Sequence, residues 1–141
     1  MERIIKEKIS ADHLLYVSLK YTKTCDVIQN LLLRWANMIE LALEILIEKL
    51  KKQKKWKAVP DAPLARLVQL KKIYASDELI SKILDMYEMF RGIERLDKVR
   101  ENEFRKGVNL KVFYKGKEVD VNLLTLSEYA ELLERFISIL K

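Results

Sequence analysis

Along most of the chain, apolar positions recur every three or four residues, the spacing of amphipathic helices. Ser10 is placed to cap a first helix, with Asp12 in its first turn, where a negative charge suits the helix dipole. Leu14, Leu15, Val17 and Leu19 carry that helix to about Tyr21. The stretch Thr22-Lys23-Thr24-Cys25 has poor helix formers but no Gly or Pro, so it reads either as a bend or as uninterrupted helix. A second helix is predicted over roughly 25–55. Its polar residues Asn30, Arg34, Asn37, Glu40, Glu44 and Glu48 fall within about a 120° sector at 100° per residue. The remaining girth is apolar, which makes this the central helix of a bundle. Residues 58–63, with Pro60 and Pro63, read as a linker. A third helix is predicted over about 64–74. Ser76 is placed to cap a fourth, with the stripe Leu79, Ile80, Ile83, Leu84, Tyr87 and Phe90. The same stripe predicts that this helix passes Gly92 and runs through Ile93 and Leu96 to about Phe104, where Gly107 stops it.

The period then changes to two. Val108, Leu110, Val112 and Tyr114 alternate with more polar residues, and Val119, Val121 and Leu123 alternate again. This predicts a β-hairpin over about 108–123, with Gly116 supplying a positive φ in its turn. Two strands alone are marginal in water, so the hairpin must lie on the bundle. Thr125-Leu126-Ser127-Glu128 matches a capping box and starts a last helix, with Tyr129, Leu132, Leu133, Phe136, Ile137 and Leu140 facing inward. The predicted fold is mainly α, an antiparallel four- to five-helix bundle with one β-hairpin packed on it, forming a single domain over residues 1–141.

Composition narrows the chemistry. Of 141 residues, 50% are hydrophobic and 34% charged, which excludes intrinsic disorder. Three scattered glycines cannot form a phosphate-cradling loop of the P-loop or dinucleotide type. The single cysteine, Cys25, excludes an internal disulfide, and it reads as a buried structural thiol. The single histidine, His13, excludes a His-pair metal site, and no Ser–His–acid triad is inferable. No metal and no cofactor is expected. The first eight residues carry two glutamates and no signal-like apolar core. The most apolar stretch, 31–47, is interrupted by Arg34, Asn37, Glu40 and Glu44, so no membrane span is expected and the cytoplasm is the expected location. Abundant Lys, Glu, Ile and Leu resemble the composition of a thermophile's protein.

The formal charge is +6 and the pI about 9.3, which favours polyanionic partners. Two regions concentrate the cations. Lys49, Lys51, Lys52, Lys54, Lys55 and Lys57 surround Trp56 at the end of the second helix. They read as a solvated helix end, or as a phosphate-binding patch with Trp56 able to stack on a base. Arg91, Arg95, Lys98, Asn102 and Arg105 recur at i, i+4, i+7, i+11 and i+14, with Lys106 beside them. On a helix they form one stripe next to Glu94, Asp97 and Glu101. That stripe is either an outer face laced with pairs such as Glu94–Lys98 or a phosphate-contacting ridge, for which the arginine fork is suited.

The order of elements and the segment Arg100-Glu101-Asn102-Glu103-Phe104-Arg105-Lys106 resemble the HEPN (higher eukaryotes and prokaryotes nucleotide-binding) family. HEPN proteins are small helical bundles, commonly homodimers. Many are metal-independent ribonucleases paired with a nucleotidyltransferase in toxin–antitoxin modules. Their motif is Arg, four to six residues, then His, usually with a polar residue after the Arg. Here Arg100 opens the segment, Asn102 resembles the polar member, and Lys106 stands where the His would be. A lysine is charged at neutral pH and serves poorly as a general base. The resemblance thus implies a catalytically weak or inactive homodimer with its site at Arg100, Asn102 and Lys106. It would bind RNA or a nucleotide through Arg91, Arg95, Lys98 and Arg105, with Lys51, Lys52, Lys54, Lys55 and Trp56 extending the surface. An active metal-independent ribonuclease and a ligand-free helical protein–protein interaction module are the alternatives. The broad apolar face of the second helix suggests the two-fold contact, with Leu31, Trp35, Leu46 and Leu50 as the uncovered positions.

Overall fold

A computed structural model describes residues 1–59 and 61–141, so Pro60 of the expected linker lies outside the described residues. The first helix, α1, covers residues 2–21: α-helical over Glu2–His13, π-helical over Leu14–Ser18 and α-helical again over Leu19–Tyr21. It begins well before Ser10, which lies inside it rather than capping it. Ile4 and Ala11, both buried, supply the apolar contacts that hold the extra turns. The π turn spreads its residues more widely than an α turn. None of Leu14–Ser18 is fully buried, whereas Leu19 just beyond is. The chain then breaks at 22–24, where Thr22 and Thr24 are extended. The Thr24 hydroxyl accepts the Val27 N–H at 3.4 Å and starts α2, Cys25–Lys52.

At 28 residues, α2 is about 42 Å long. It is the central helix, as its girth requires. Leu31, Trp35, Leu46 and Leu50 are all buried within the single chain, so they are not the uncovered positions expected of a two-fold contact. The first helix, the fourth helix and the last helix all pack against α2. Trp35 stacks on Phe90 (centroids 6.0 Å apart), and Tyr129 meets both rings edge-on.

Helix α3, Pro63–Ile73, has proline in its first turn and buries Leu67 and Leu70. Helix α4, Glu78–Arg91, is capped by Asp77, not Ser76: its Oδ1 accepts the Ile80 N–H at 3.0 Å. It ends at Gly92 rather than continuing to Phe104. The Arg95 and Leu96 N–H groups both return to the Gly92 carbonyl, closing tight turns that keep Ile93 buried and Leu96 half-buried. Spacing of three residues suits such a turn as well as a helix, and Gly92 lowers the cost of stopping.

Beyond that turn, β1 (Lys98–Glu101) pairs antiparallel with β2 (Asn109–Tyr114), which pairs with β3 (Lys117–Asn122). The expected hairpin is present with a third strand added, in the order β1-β2-β3. Lys115 and Gly116 both have positive φ, as a two-residue type I′ turn requires. Leu110 faces Val121 and Val112 faces Val119 across the hairpin, and the buried Leu110, Val112 and Val121 lay the sheet on the bundle. The last helix, α5 (Leu123–Leu140), is capped by Asn122, whose Oδ1 accepts the Thr125 N–H at 2.9 Å. Thr125 is therefore in the first turn, not the cap. Its hydroxyl donates to the Asp120 carbonyl at 2.8 Å. No helix among the described residues is long and apolar enough to cross a membrane.

Candidate nucleic-acid interface

With no helix over 92–104, the basic stripe is dispersed. Arg91 ends α4 and donates to the Tyr87 hydroxyl at 2.7 Å, with the Glu40 carboxylate 4.0 Å away. Arg95 follows in the turn and borders, with Arg91, Leu64 and Leu67, an open cavity of about 340 Å³. Lys98 folds back on its own turn and donates to the Glu94 and Leu96 carbonyls. The Glu94–Lys98 contact thus reaches a backbone oxygen, not the carboxylate. Lys51, Lys52, Lys54 and Lys55 are exposed at the far end of α2. Trp56 is half-buried, packed against the core rather than standing free among the lysines.

Arg100, Asn102 and Lys106 lie on β1 and the loop after it. The loop is strapped to the start of α2 by three contacts. Glu103 accepts the Cys25 N–H at 3.1 Å, the Phe104 N–H donates to the Lys23 carbonyl at 2.6 Å, and Arg100 lies 2.5 Å from Asp26 and 3.6 Å from Glu103. The guanidinium beside it holds the Asp26 carboxyl below its ordinary range, and the carboxylate in turn raises Arg100. Arg100 is thereby a structural tie. The N-terminus of α2 is already served by Thr24, Asp26 and Glu103, so its dipole is not open to an outside anion. Cys25 is buried as expected; its thiol donates to the Asn109 carbonyl at 3.3 Å, and burial pushes it up.

The strap holds Asn102 at φ 53° and Phe104 at φ 67°. Asparagine tolerates that region, but a bulky aromatic rarely enters it. Phe104 gains no burial in exchange, since it is 78% exposed. Arg105 and Lys106 follow, both exposed, and neither takes part in an ion pair among the described residues. Two residues before Lys23 stands Tyr21, also 78% exposed, with the Lys20 ammonium 5.8 Å from its ring centre. One end of the bundle therefore presents two exposed aromatic rings with Lys20, Arg105 and Lys106, and beside them the half-buried Lys23, whose ammonium donates to the Lys20 carbonyl at 2.7 Å.

The pattern of the sequence did not point to Tyr21 or Phe104. Each reads as the last apolar residue of an amphipathic helix. The available signals were the weak helix formers at 22–25 and the aromatic-cation run Phe104-Arg105-Lys106. No family model, curated protein or solved structure matches this chain. No group of three or more His, Cys, Asp or Glu side chains among the described residues is arranged to hold a metal ion.

Proposed function

We propose that this protein binds single-stranded nucleic acid, RNA in the HEPN-like reading, at the end of the bundle formed by Tyr21 and the 102–107 loop. The observation that carries the reading is Phe104: exposed, at positive φ, tied by its backbone to Lys23 and followed by two cations that form no ion pair among the described residues. Strain of this kind costs about 1–3 kcal/mol and persists where the surroundings enforce it, commonly at ligand-binding positions. Aromatic faces among cations are the arrangement that holds single strands, because every base has a face to stack while Lys and Arg meet the phosphates. A duplex, with its bases already stacked, offers such rings little.

The role is binding rather than cleavage. Arg100 is engaged by Asp26 and Glu103, and the loop contains no histidine to act as a base. Filter binding of an oligouridylate at low salt tests the reading. Phe104→Ala should weaken binding about tenfold, the loss of roughly one stacked base, with an unchanged circular dichroism spectrum. An intact protein that retains no oligonucleotide, or a Phe104→Ala variant that binds as well as the parent, would overturn it. Chelator-resistant RNA cleavage abolished by Arg100→Ala would instead favour the ribonuclease.

A further inference from the structure

The outer face of α1 carries residues that the loop site does not use. Arg3, Lys6, His13, Tyr16 and Lys20 are exposed and spaced three to seven residues apart, so they lie along one side of the helix. Ile9 (63% exposed) and Val17 fill the gaps between them, and Tyr16 is itself 64% exposed. An α-helix folded only for its own core would turn polar residues outward here. The π turn at Leu14–Ser18 sets Tyr16 and Val17 side by side on the surface.

Charge selects the occupant of this face. The carboxylates of α1 beyond Glu2 are turned aside to partners: Glu7 meets Arg34 at 3.3 Å, and Asp12 meets Lys8 at 2.8 Å. Lys8 also reaches Glu134 of α5. The exposed face from Arg3 to Tyr21 is left with cations, one histidine and apolar or aromatic groups. It also joins the two basic regions of the molecule. At one end, Tyr21 and Lys23 adjoin the Phe104 loop. At the other, Met1–Ile4 share an open cavity with Glu44, Ile45, Glu48, Lys49 and Lys52, of mixed charge, beside the lysine-rich end of α2.

We infer that this face of α1 is a track for one extended nucleic-acid strand, running from the Phe104 loop past Tyr16 to the lysines at the end of α2. The inference rests on the binding site proposed above and gives it a length and a direction. Twenty residues of helix span about 30 Å, room for several nucleotides and within the usual footprint of about 4–16 for strand-binding surfaces. Tyr16 adds a stacking ring midway, and Lys6 and Arg3 add phosphate contacts beyond it.

Fluorescence anisotropy with oligouridylates of about 4, about 8 and about 16 nucleotides tests the track, using the full chain and its Tyr16→Ala, Lys6→Glu and Phe104→Ala variants. Affinity should rise with length over this range. Tyr16→Ala should weaken the longest oligonucleotide about tenfold and leave the shortest unchanged, while Phe104→Ala weakens every length. Lys6→Glu should reproduce the length-selective loss without removing a ring. All three side chains are exposed, so folding is not at stake. If Phe104→Ala lowers affinity but Tyr16→Ala and Lys6→Glu do not, the track is overturned and the loop site stands. If no length binds, the loop site fails as well. If Tyr16→Ala changes sedimentation of the protein alone, or its retention on anionic lipid vesicles, and not oligonucleotide affinity, the face belongs to a second copy or to a membrane surface and the track is overturned.

Discussion

Phe104 bears two costs at once: a left-handed backbone for a bulky side chain and a ring left in water. Packing explains neither. The nearby Asn102, also left-handed at φ 53°, is a residue suited to that region, so the loop is not unfavourable throughout. Replacing Phe104 with glycine separates the two roles. Phe104→Gly should raise stability to urea by about 1 kcal/mol, because glycine relieves the positive φ, and should lower oligonucleotide affinity as Phe104→Ala does. A destabilised Phe104→Gly variant would mean that the ring supports the fold. The chemistry of Cys25 was readable from its sequence context as that of a buried thiol. The exposure of Phe104 was not, because it depends on Glu103 and the Lys23 carbonyl, which only the folded chain brings together.

Among the elements, those with an unambiguous period were readable: α2, the β2–β3 hairpin with its Gly116 turn, and the inward face of α5. The segment after α4 is where two periods coincide. Ile93 and Leu96 continue the helical stripe of α4, yet the chain uses them for a turn, and Lys98–Glu101 then gains a ladder with β2 that no local pattern announces. The turn and the strand separate Arg91, Arg95, Lys98 and Arg105, which only a continuous helix would align as one ridge. Charge pairs between elements were equally hidden. Glu88 of α4 receives Lys71 of α3 at 2.7 Å and Lys115 of the hairpin turn at 2.9 Å, joining three elements. The Lys71 hydrogen bond above all, aided by Lys115 and opposed by burial, lowers the carboxyl from 4.5 to about 2. A depressed carboxyl contributes its stability above the unfolded value and loses it as pH falls through the folded one. The contribution should therefore be whole at neutral pH, decline below 4.5 and vanish near 2. Glu88→Gln should cost about 1 kcal/mol at neutral pH and flatten this part of the stability profile, measured by urea unfolding across that range. Parallel curves for parent and variant would show that the link is electrostatically idle.

For the whole molecule, the net charge of +6 matters less than its placement. The last helix, α5, carries exposed Glu128, Glu131 and Glu134 beside one exposed cation, Arg135, and Lys8 of α1 bridges to Glu134, while the other cations of α1 lie along its exposed side. A polyanion approaching this surface is steered onto the α1 face and away from α5. Salt dependence can count the contacts. For single strands, the slope of log affinity against log salt is about −0.7 per phosphate neutralised. A short oligonucleotide confined to the Phe104 loop meets at most Lys20, Lys23, Arg105 and Lys106, so its slope should be no steeper than about −3. A strand long enough to follow α1 adds Lys6, Arg3 and one or two lysines at the end of α2, and its slope should steepen to between about −4 and −6. Lys6→Glu should bring the long strand back toward the shallow value and leave the short one where it was. Equal slopes for both lengths would confine binding to the loop. A slope near zero for either would mean that stacking, and not phosphate contact, supplies the affinity, and the cations around Phe104 would then lose the role assigned to them.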